Sequence, residues 1–485
     1  MPISPAIAAT GATSRVNPVV VAYIAISGIV LLLMMLLGLA LRLAQAEWLP
    51  ISPDLFYEMM TAHGVGMVGI SGLAGAGIMW HFLSGYVRLN QGILIANLVL
   101  FLVGVAMILV AIFLGGFGGG WTFLYPLPAI SGGAWEPAAA ALDLAGLLVV
   151  GVGFLLFYLD AGRALVAEYG GLGAALGWPV LLGKSQARLP EPTVVASTMV
   201  IIVNTLGLFS GAAILAISLI NIAAPSFTID PLLAKNMIYF FGHVFINATI
   251  YMTVIAVYEI LPSYAGREWK ANKPFLWAWT ASTIMVLIAY PHHLLMDFVM
   301  PGWALILGQV VSYANGLPVL VVTAYGALAL VYRSGLRWDV ISSLLFLSMF
   351  GWAAGVLPAI IDGTIMVNLV MHNTLWVPGH FHFYLLLGMS AMIFGFMYHL
   401  GRGPARVERA LDRMAVWLFA LGGAGFALVL LYGGKEGVPR RWAVHLPEWV
   451  GYDRLGSLFA LAVILAVVVF AVRFLVRVPR MIRVP

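Results

Sequence analysis

The chain contains no cysteine. That absence excludes disulfides, cysteine-ligated iron–sulfur clusters, thiolate-bound copper and CxxCH haem attachment within it. Charge is scarce too. Asp, Glu, Lys and Arg make up 9% of 485 residues, against roughly 25% in soluble proteins. With 62% of the residues hydrophobic, a water-solvated fold is excluded and lipid is the expected solvent. No period of about 20–50 residues marks a solenoid, and no low-complexity tract interrupts the chain. The stretch before the first apolar run carries one charge, Arg15, and lacks a continuous apolar core with a cleavage site. Insertion is therefore expected through the first retained span.

Apolar runs of about 20 residues or more, enough to cross a ~30 Å hydrocarbon core, recur along the chain. They give twelve spans: about 18–44, 56–86, 92–116, 137–161, 195–223, 235–263, 275–297, 303–332, 338–361, 369–400, 408–433 and 454–478. Lipid cannot satisfy backbone polar groups, so each span is expected to be a helix. The expectation is an all-α membrane protein forming one integral catalytic domain over residues 1–485. Most lysines and arginines fall on one side of that topology, among them Arg163, Lys184, Arg188, Arg267, Lys270, Lys273, Arg402, Arg409, Arg413, Arg473, Arg477 and Arg480. The positive-inside rule then puts both termini in the cytoplasm. The net charge of +5 is a basic cytoplasmic rim, and no nucleic-acid partner is needed to explain it.

Of ten histidines, His63, His243, His292, His293, His380 and His382 lie inside expected spans. A single imidazole within a bundle is usually a hydrogen-bonded packing residue. Six of them, with one adjacent pair and one i, i+2 pair, point to a metal and haem framework. Residues i and i+2 project to nearly opposite sides of a helix, so His380 and His382 can serve two cofactors. His63 lies in His63-Gly-Val-Gly-Met67, where the glycines are expected to leave room for a flat ring. Paired with His382 it could give a six-coordinate, bis-His haem suited to electron transfer. His380 would then carry a second haem as its proximal ligand, with one face open for substrate. Pro291 disturbs the helix before His292-His293, which helps the two rings converge, and His243 can supply a third nitrogen. Three neutral imidazoles suit copper, iron or zinc; beside an open haem face a redox metal is expected.

These residues carry a resemblance. The chain is similar to subunit I of the haem-copper oxidase superfamily along nearly its whole length, with ligands in the second, sixth, seventh and tenth spans. His372-Asn-Thr-Leu-Trp-Val-Pro-Gly-His-Phe-His382 looks most like the B family. The resemblance implies that His63 and His382 bind the low-spin haem and His380 the high-spin haem. It implies that His243, His292 and His293 hold the second metal, copper or iron. Gly437-Val-Pro-Arg-Arg-Trp442 resembles the segment whose arginines, here Arg440 and Arg441, meet haem propionates, as guanidinium forks suit carboxylates. His372 resembles a propionate- or metal-proximal residue. Further implications are a prokaryotic cell membrane, a gaseous substrate and an electron-donating subunit II of CuA, cupredoxin or cytochrome c type. His81, His399 and His445 match no motif and are expected to be interfacial.

The pattern breaks at one point. Oxygen reductases of the A and B families place a tyrosine four residues after the helix-six histidine, facing the active site, and here that residue is Asn247. The C family supplies its tyrosine six residues before the histidine pair, where this chain has Val286. Without the tyrosine, the resemblance points to a nitric oxide reductase branch, whose familiar members carry a glutamate ligand at the same position. Asn247 offers a carbonyl oxygen and an amide donor, either to the metal or to a bound intermediate. Tyr258 and Glu259, about four turns beyond His243, are the candidate proton carriers; Tyr258 is similar to a tyrosine of the B-family path. No lysine occurs in Ser312-Tyr-Ala-Asn-Gly-Leu-Pro318 to match the A-family path. The alternative within the superfamily is a B-family terminal oxygen reductase. A twelve-helix transporter is the rival of another class, but it leaves the histidines unexplained. A haem or metal sensor without turnover is a further one, separable by gas consumption.

Overall fold

In the computed structural model, residues 16–184, 186–336, 338–402 and 409–483 are described. Arg15 lies outside them, so the reading made of that segment has no structural counterpart. Among the described residues, twelve helices or helix pairs are long and apolar enough to cross a membrane, as expected, and the chain is a multi-pass membrane protein. We label α1 (Pro18–Gln45), α2 (Pro53–Leu83), α3 (Gln91–Phe113), α4 (Pro137–Tyr169), α5 (Pro192–Ala223), α6 (Pro231–Ala265) and α7 (Lys273–Ile288). Next come α8 (Gly302–Asn315), α9 (Leu317–Val331), α10 (Val340–Asp362), α11 (Trp376–His382), α12 (Ala391–Leu400), α13 (Ala410–Lys435) and α14 (Val450–Leu475). The end of the bundle at which α1 finishes is called the upper end.

Local chemistry sets many of the starts. Prolines stand in the first turns of α1, α2, α4, α5 and α6, where a missing N–H costs nothing. Side-chain caps from Asn17, Ser52 and Asp230 satisfy N–H groups that would otherwise be orphaned. Small residues set the close approaches. A Cβ on Gly104 of α3 would stand 2.5 Å from the Gly146 carbonyl of α4, so only glycine allows that crossing.

Three irregularities position the site. The seventh span leaves α-geometry at Ile288 and continues as a 3₁₀ turn, Tyr290–Leu294, around Pro291. The eighth, expected to be continuous, is broken at Gly316 between α8 and α9, with Pro318 in the first turn below the break. The tenth, expected over about 369–400, leaves the helix after Met371 and re-enters at Trp376. There the Leu375 N–H donates to the Val438 carbonyl at 2.8 Å. Below His382 the chain takes a π-helical segment, Phe383–Ser390, a form found mostly at functional sites. Gly351 of α10 accommodates it: a Cβ there would sit 2.5 Å from the Leu387 carbonyl carbon. Helix α6 and the tenth span are central, with 89% of their apolar window buried, against 28% for α3.

Candidate functional site

The two central spans and their neighbours surround a cavity with about 2810 Å³ of atom-free space, the open space at its mouth included. All six span histidines line it, as do Asn247, His372, Arg440 and Arg441. The structure thus brings together most of the residues that the sequence singled out.

His63 and His382 share one hydrogen-bond arrangement. Each donates from Nδ1 to a backbone carbonyl, His63 to Met34 and His382 to Pro378, both at 2.6 Å. That bond fixes the tautomer and turns the Nε2 lone pair into the cavity, as in metal-ligating histidines. The expected role of the glycines after His63 is only half met. Gly64 lines the cavity, but Gly66 is where the Met34 side chain packs. Gly38 of α1 makes room for the His63 ring itself, as its Cβ would lie 2.7 Å from His63 Cε1. His380 faces the Gly355 backbone without a hydrogen bond of good geometry, and its ring meets Tyr384 edge-on.

His243, His292 and His293 converge. His243 Nδ1 lies 3.3 Å from His293 Nε2, and His292 Nε2 lies 3.1 Å from that same atom. Tetrahedral nitrogen ligands 2.0–2.1 Å from a metal stand roughly 3.3 Å apart. The cluster therefore has the spacing of a metal site, and one ligand atom from each residue falls within 4.8 Å of the others. Ser312 of α8 holds His292 through Nδ1 at 2.7 Å, which directs Nε2 to the cluster. Ser312→Ala is expected to lower metal occupancy or turnover by about 10–100-fold, the usual effect of removing an outer partner of a ligand. Metal content of the purified variant checks it, and full occupancy with full turnover would count against it.

Asn247 lies one turn below His243. Its Nδ2 donates to the His243 carbonyl at 2.8 Å and lies 3.3 Å from His243 Nε2. Nδ2 is thus the Asn247 atom beside the cluster, also 3.5 Å from His243 Nδ1.

Arg440 and Arg441 cap the upper end. Arg440 bonds Asn373 through both backbone and side chain, and Arg441 reaches Thr122 at 3.5 Å. Neither has an ion pair among the described residues. Burial, with the Arg441 charge beside it, pulls the Arg440 guanidinium down to about 10. Two adjacent cations without a direct ion pair among the described residues, over a cavity, fit a ligand that brings carboxylates. His372 lines the cavity, 3.8 Å from an Asp362 carboxylate oxygen, with Asn368 between them.

The structure separates Tyr258 from Glu259, which adjacent positions on a helix require. Tyr258 shares a 2.6 Å hydrogen bond with Thr323 of α9. Glu259 faces the other way, accepting from Tyr86 at 2.9 Å and from the Thr193 hydroxyl. Neither lines the cavity. His445 has partners of its own. It is buried and held 2.7 Å from Asp453, which also pairs with Arg42. His81 and His399 sit half-buried among Phe82 and Phe396. The sequence reading missed Asp362, Tyr251, Tyr384 and Arg42, all on the cavity wall. Only Arg42 gave a signal, as a charge inside an apolar span.

The donors in this cavity fit a membrane protein built to hold haem groups beside a non-haem metal. Residues 18–468 match the family described as cytochrome c and quinol oxidase polypeptide I, and the chain belongs to that family, subunit I of the haem-copper oxidases. Among its relatives, a cytochrome c oxidase polypeptide 1 from Halobacterium salinarum is 24% identical over 356 residues, 70% of this chain and 56% of that protein. A cytochrome c oxidase subunit 1 from Thermus thermophilus is 27% identical over 244 residues, 45% of this chain and 43% of that one. A probable quinol oxidase subunit 1 from Staphylococcus aureus is 23% identical over 48% of this chain and 35% of its own. The matches thus span about half the length of these curated relatives. In fold, a haem-copper terminal oxidase dimer determined by cryo-electron microscopy matches with a TM-score of 0.77 at 19% identity, covering 98% of this chain and 85% of that one.

Proposed function

We propose that the chain is the catalytic subunit of a respiratory nitric oxide reductase in a prokaryotic cell membrane, its upper end outside and both termini cytoplasmic. Residues 1–485 act as one catalytic domain. The reaction is 2 NO + 2 e⁻ + 2 H⁺ → N₂O + H₂O. Asn247 carries this reading: the cavity wall beside the three-histidine cluster presents a carboxamide where the resembled oxygen reductases have a redox-active tyrosine. A carboxamide cannot supply an electron and a proton to split dioxygen, whereas coupling two nitric oxide molecules needs only two electrons.

His63 and His382 would hold a low-spin haem and His380 a high-spin haem. His243, His292 and His293 would hold copper or iron, with the Asn247 carboxamide beside it as a weak ligand or a partner of bound substrate. These groups supply electron transfer and substrate binding. The chain's own residues do the rest. Ser312 orients His292, Arg440 and Arg441 neutralise carboxylates at the upper end, and His372 with Asp362 stands beside them. Tyr258 and Glu259 carry protons from the lower end. Electrons come from a partner subunit of CuA, cupredoxin or cytochrome c type, since this chain has no cysteine.

The relatives, named as cytochrome c oxidases, favour a second reading, reduction of dioxygen to water, with the extra electron drawn from another residue. Anaerobic turnover of the purified, reduced protein with nitric oxide, then with dioxygen, separates the two. Rapid nitrous oxide formation with little oxygen uptake is expected. Fast oxygen reduction with negligible nitric oxide turnover would sink the proposal.

A further inference from the structure

The reaction consumes protons inside a cavity closed by apolar helices, and its lower floor holds a polar cluster with no role so far. Helix α6 runs downward, so Tyr251 lies eight residues, about 12 Å, below His243. It lines the cavity, packs against Trp352 at 5.6 Å between ring centroids, and faces Ser282. The break between α8 and α9 borders the same cavity. Asn315 is buried and lines the cavity, and its Oδ1 has no hydrogen-bond partner. The Tyr384 hydroxyl lies 3.8 Å from where a Cβ on Gly316 would be. Irregular backbone at membrane depth is tolerated where it lines a polar or water-filled space, and an orphaned carboxamide there calls for a missing hydrogen-bond partner.

The cluster is connected downward on two helices. Tyr251 and Tyr258 are seven residues apart and share a face of α6. Both pack on Trp279, at 5.2 and 6.3 Å between centroids. Asn315 and Thr323 are eight residues apart, and both belong to the buried side of their broken span. At the bottom the two columns are tied by the Tyr258–Thr323 hydrogen bond.

We infer that the Tyr251 phenol and the Asn315 carboxamide form the terminal proton-delivery site of the cavity. Tyr251 donates its proton upward past Asn247 and takes one from the Tyr258–Thr323 pair below, with water completing the chain. Asn315 orients that water. No net ionisation of Tyr251 remains after each transfer, and the electrons come only from the external donor. This rests on the reductase reading for the number of protons consumed, but not for their route.

The test uses the complete complex in proteoliposomes, with a pH dye on each side and an excess of reductant. Tyr251→Phe keeps the ring and removes the exchangeable proton. It is expected to slow proton uptake from the lower side on the order of 10²-fold, with both haem spectra unchanged. Asn315→Leu should slow uptake comparably and Asn315→Gln should restore most of it, a rescue that a merely structural role would not show. If Tyr251→Phe fails to assemble, the Leu and Gln pair at position 315 decides. Uptake within twofold of the unaltered protein in Tyr251→Phe or Asn315→Leu, or uptake from the upper side, would overturn the assignment. The assay runs with whichever gas turns over. Oxygen turnover with slowed uptake therefore sinks the reductase reading alone, and nitric oxide turnover with normal uptake sinks the relay alone.

Discussion

Replacing His292 with alanine is expected to abolish turnover, by on the order of 10³-fold or more, while both haem absorption spectra persist. The expected loss exceeds the 10–100-fold that removal of an outer partner costs, because on the proposed assignment a ligand nitrogen itself is removed. The spacings of 3.1 and 3.3 Å among the three imidazoles match those of nitrogen ligands around one metal. His292 is also the one cluster member locked from behind, by Ser312. Its loss therefore leaves His243 and His293 as a two-nitrogen site with lower affinity for any redox metal. Elemental analysis and optical spectra of the purified variant measure the two halves of this result independently. One full equivalent of non-haem metal together with undiminished turnover would remove the cluster from the catalytic centre.

How much of this was legible beforehand differs by residue. The twelve spans could be read because each is set by its own composition: lipid requires every backbone group to be paired within the helix. The histidines could be read because residue type and local spacing carry metal chemistry. The break in the eighth span had a local signal in Gly316-Leu-Pro318, since proline removes a donor and disfavours helix in the residue before it. The departure of residues 372–375 from the helix had none. It depends on Leu375 bonding Val438 and Arg440 bonding Asn373, contacts made with a loop far along the chain. Asn247 was placed correctly on the cavity wall because i and i+4 share a helix face. Glu259 was grouped with Tyr258 by adjacency, and that same periodicity separates them.

The same limit explains Arg42. Its partner is 411 residues away, so no window of sequence could have paired them, and the structure makes that pair the most consequential polar contact outside the histidines. Arg42 donates to Asp453 and, at 2.7 Å, to Gln45 Oε1; Asp453 accepts from His445 at 2.7 Å. Asp453 and the His445 side chain are fully buried and Arg42 nearly so. Asp453→Ala is expected to destabilise the fold by about 3–5 kcal/mol, the cost of leaving one partner of a buried pair uncompensated. It is the largest stability effect we expect of any single substitution here. Arg42 and Gln45 also line the cavity on the side of His63 and His382, so the loss should be accompanied by a perturbed low-spin haem spectrum. Removing both charges together, as Arg42→Met with Asp453→Asn, should recover most of the stability, because apolar or neutral replacements of a buried pair are often close to neutral. Denaturation of the single and double variants in detergent, followed by helical circular dichroism, measures both. A loss of under about 1 kcal/mol in the single variant is what an exposed pair would give, and would show that the carboxylate does not hold Arg42 in place.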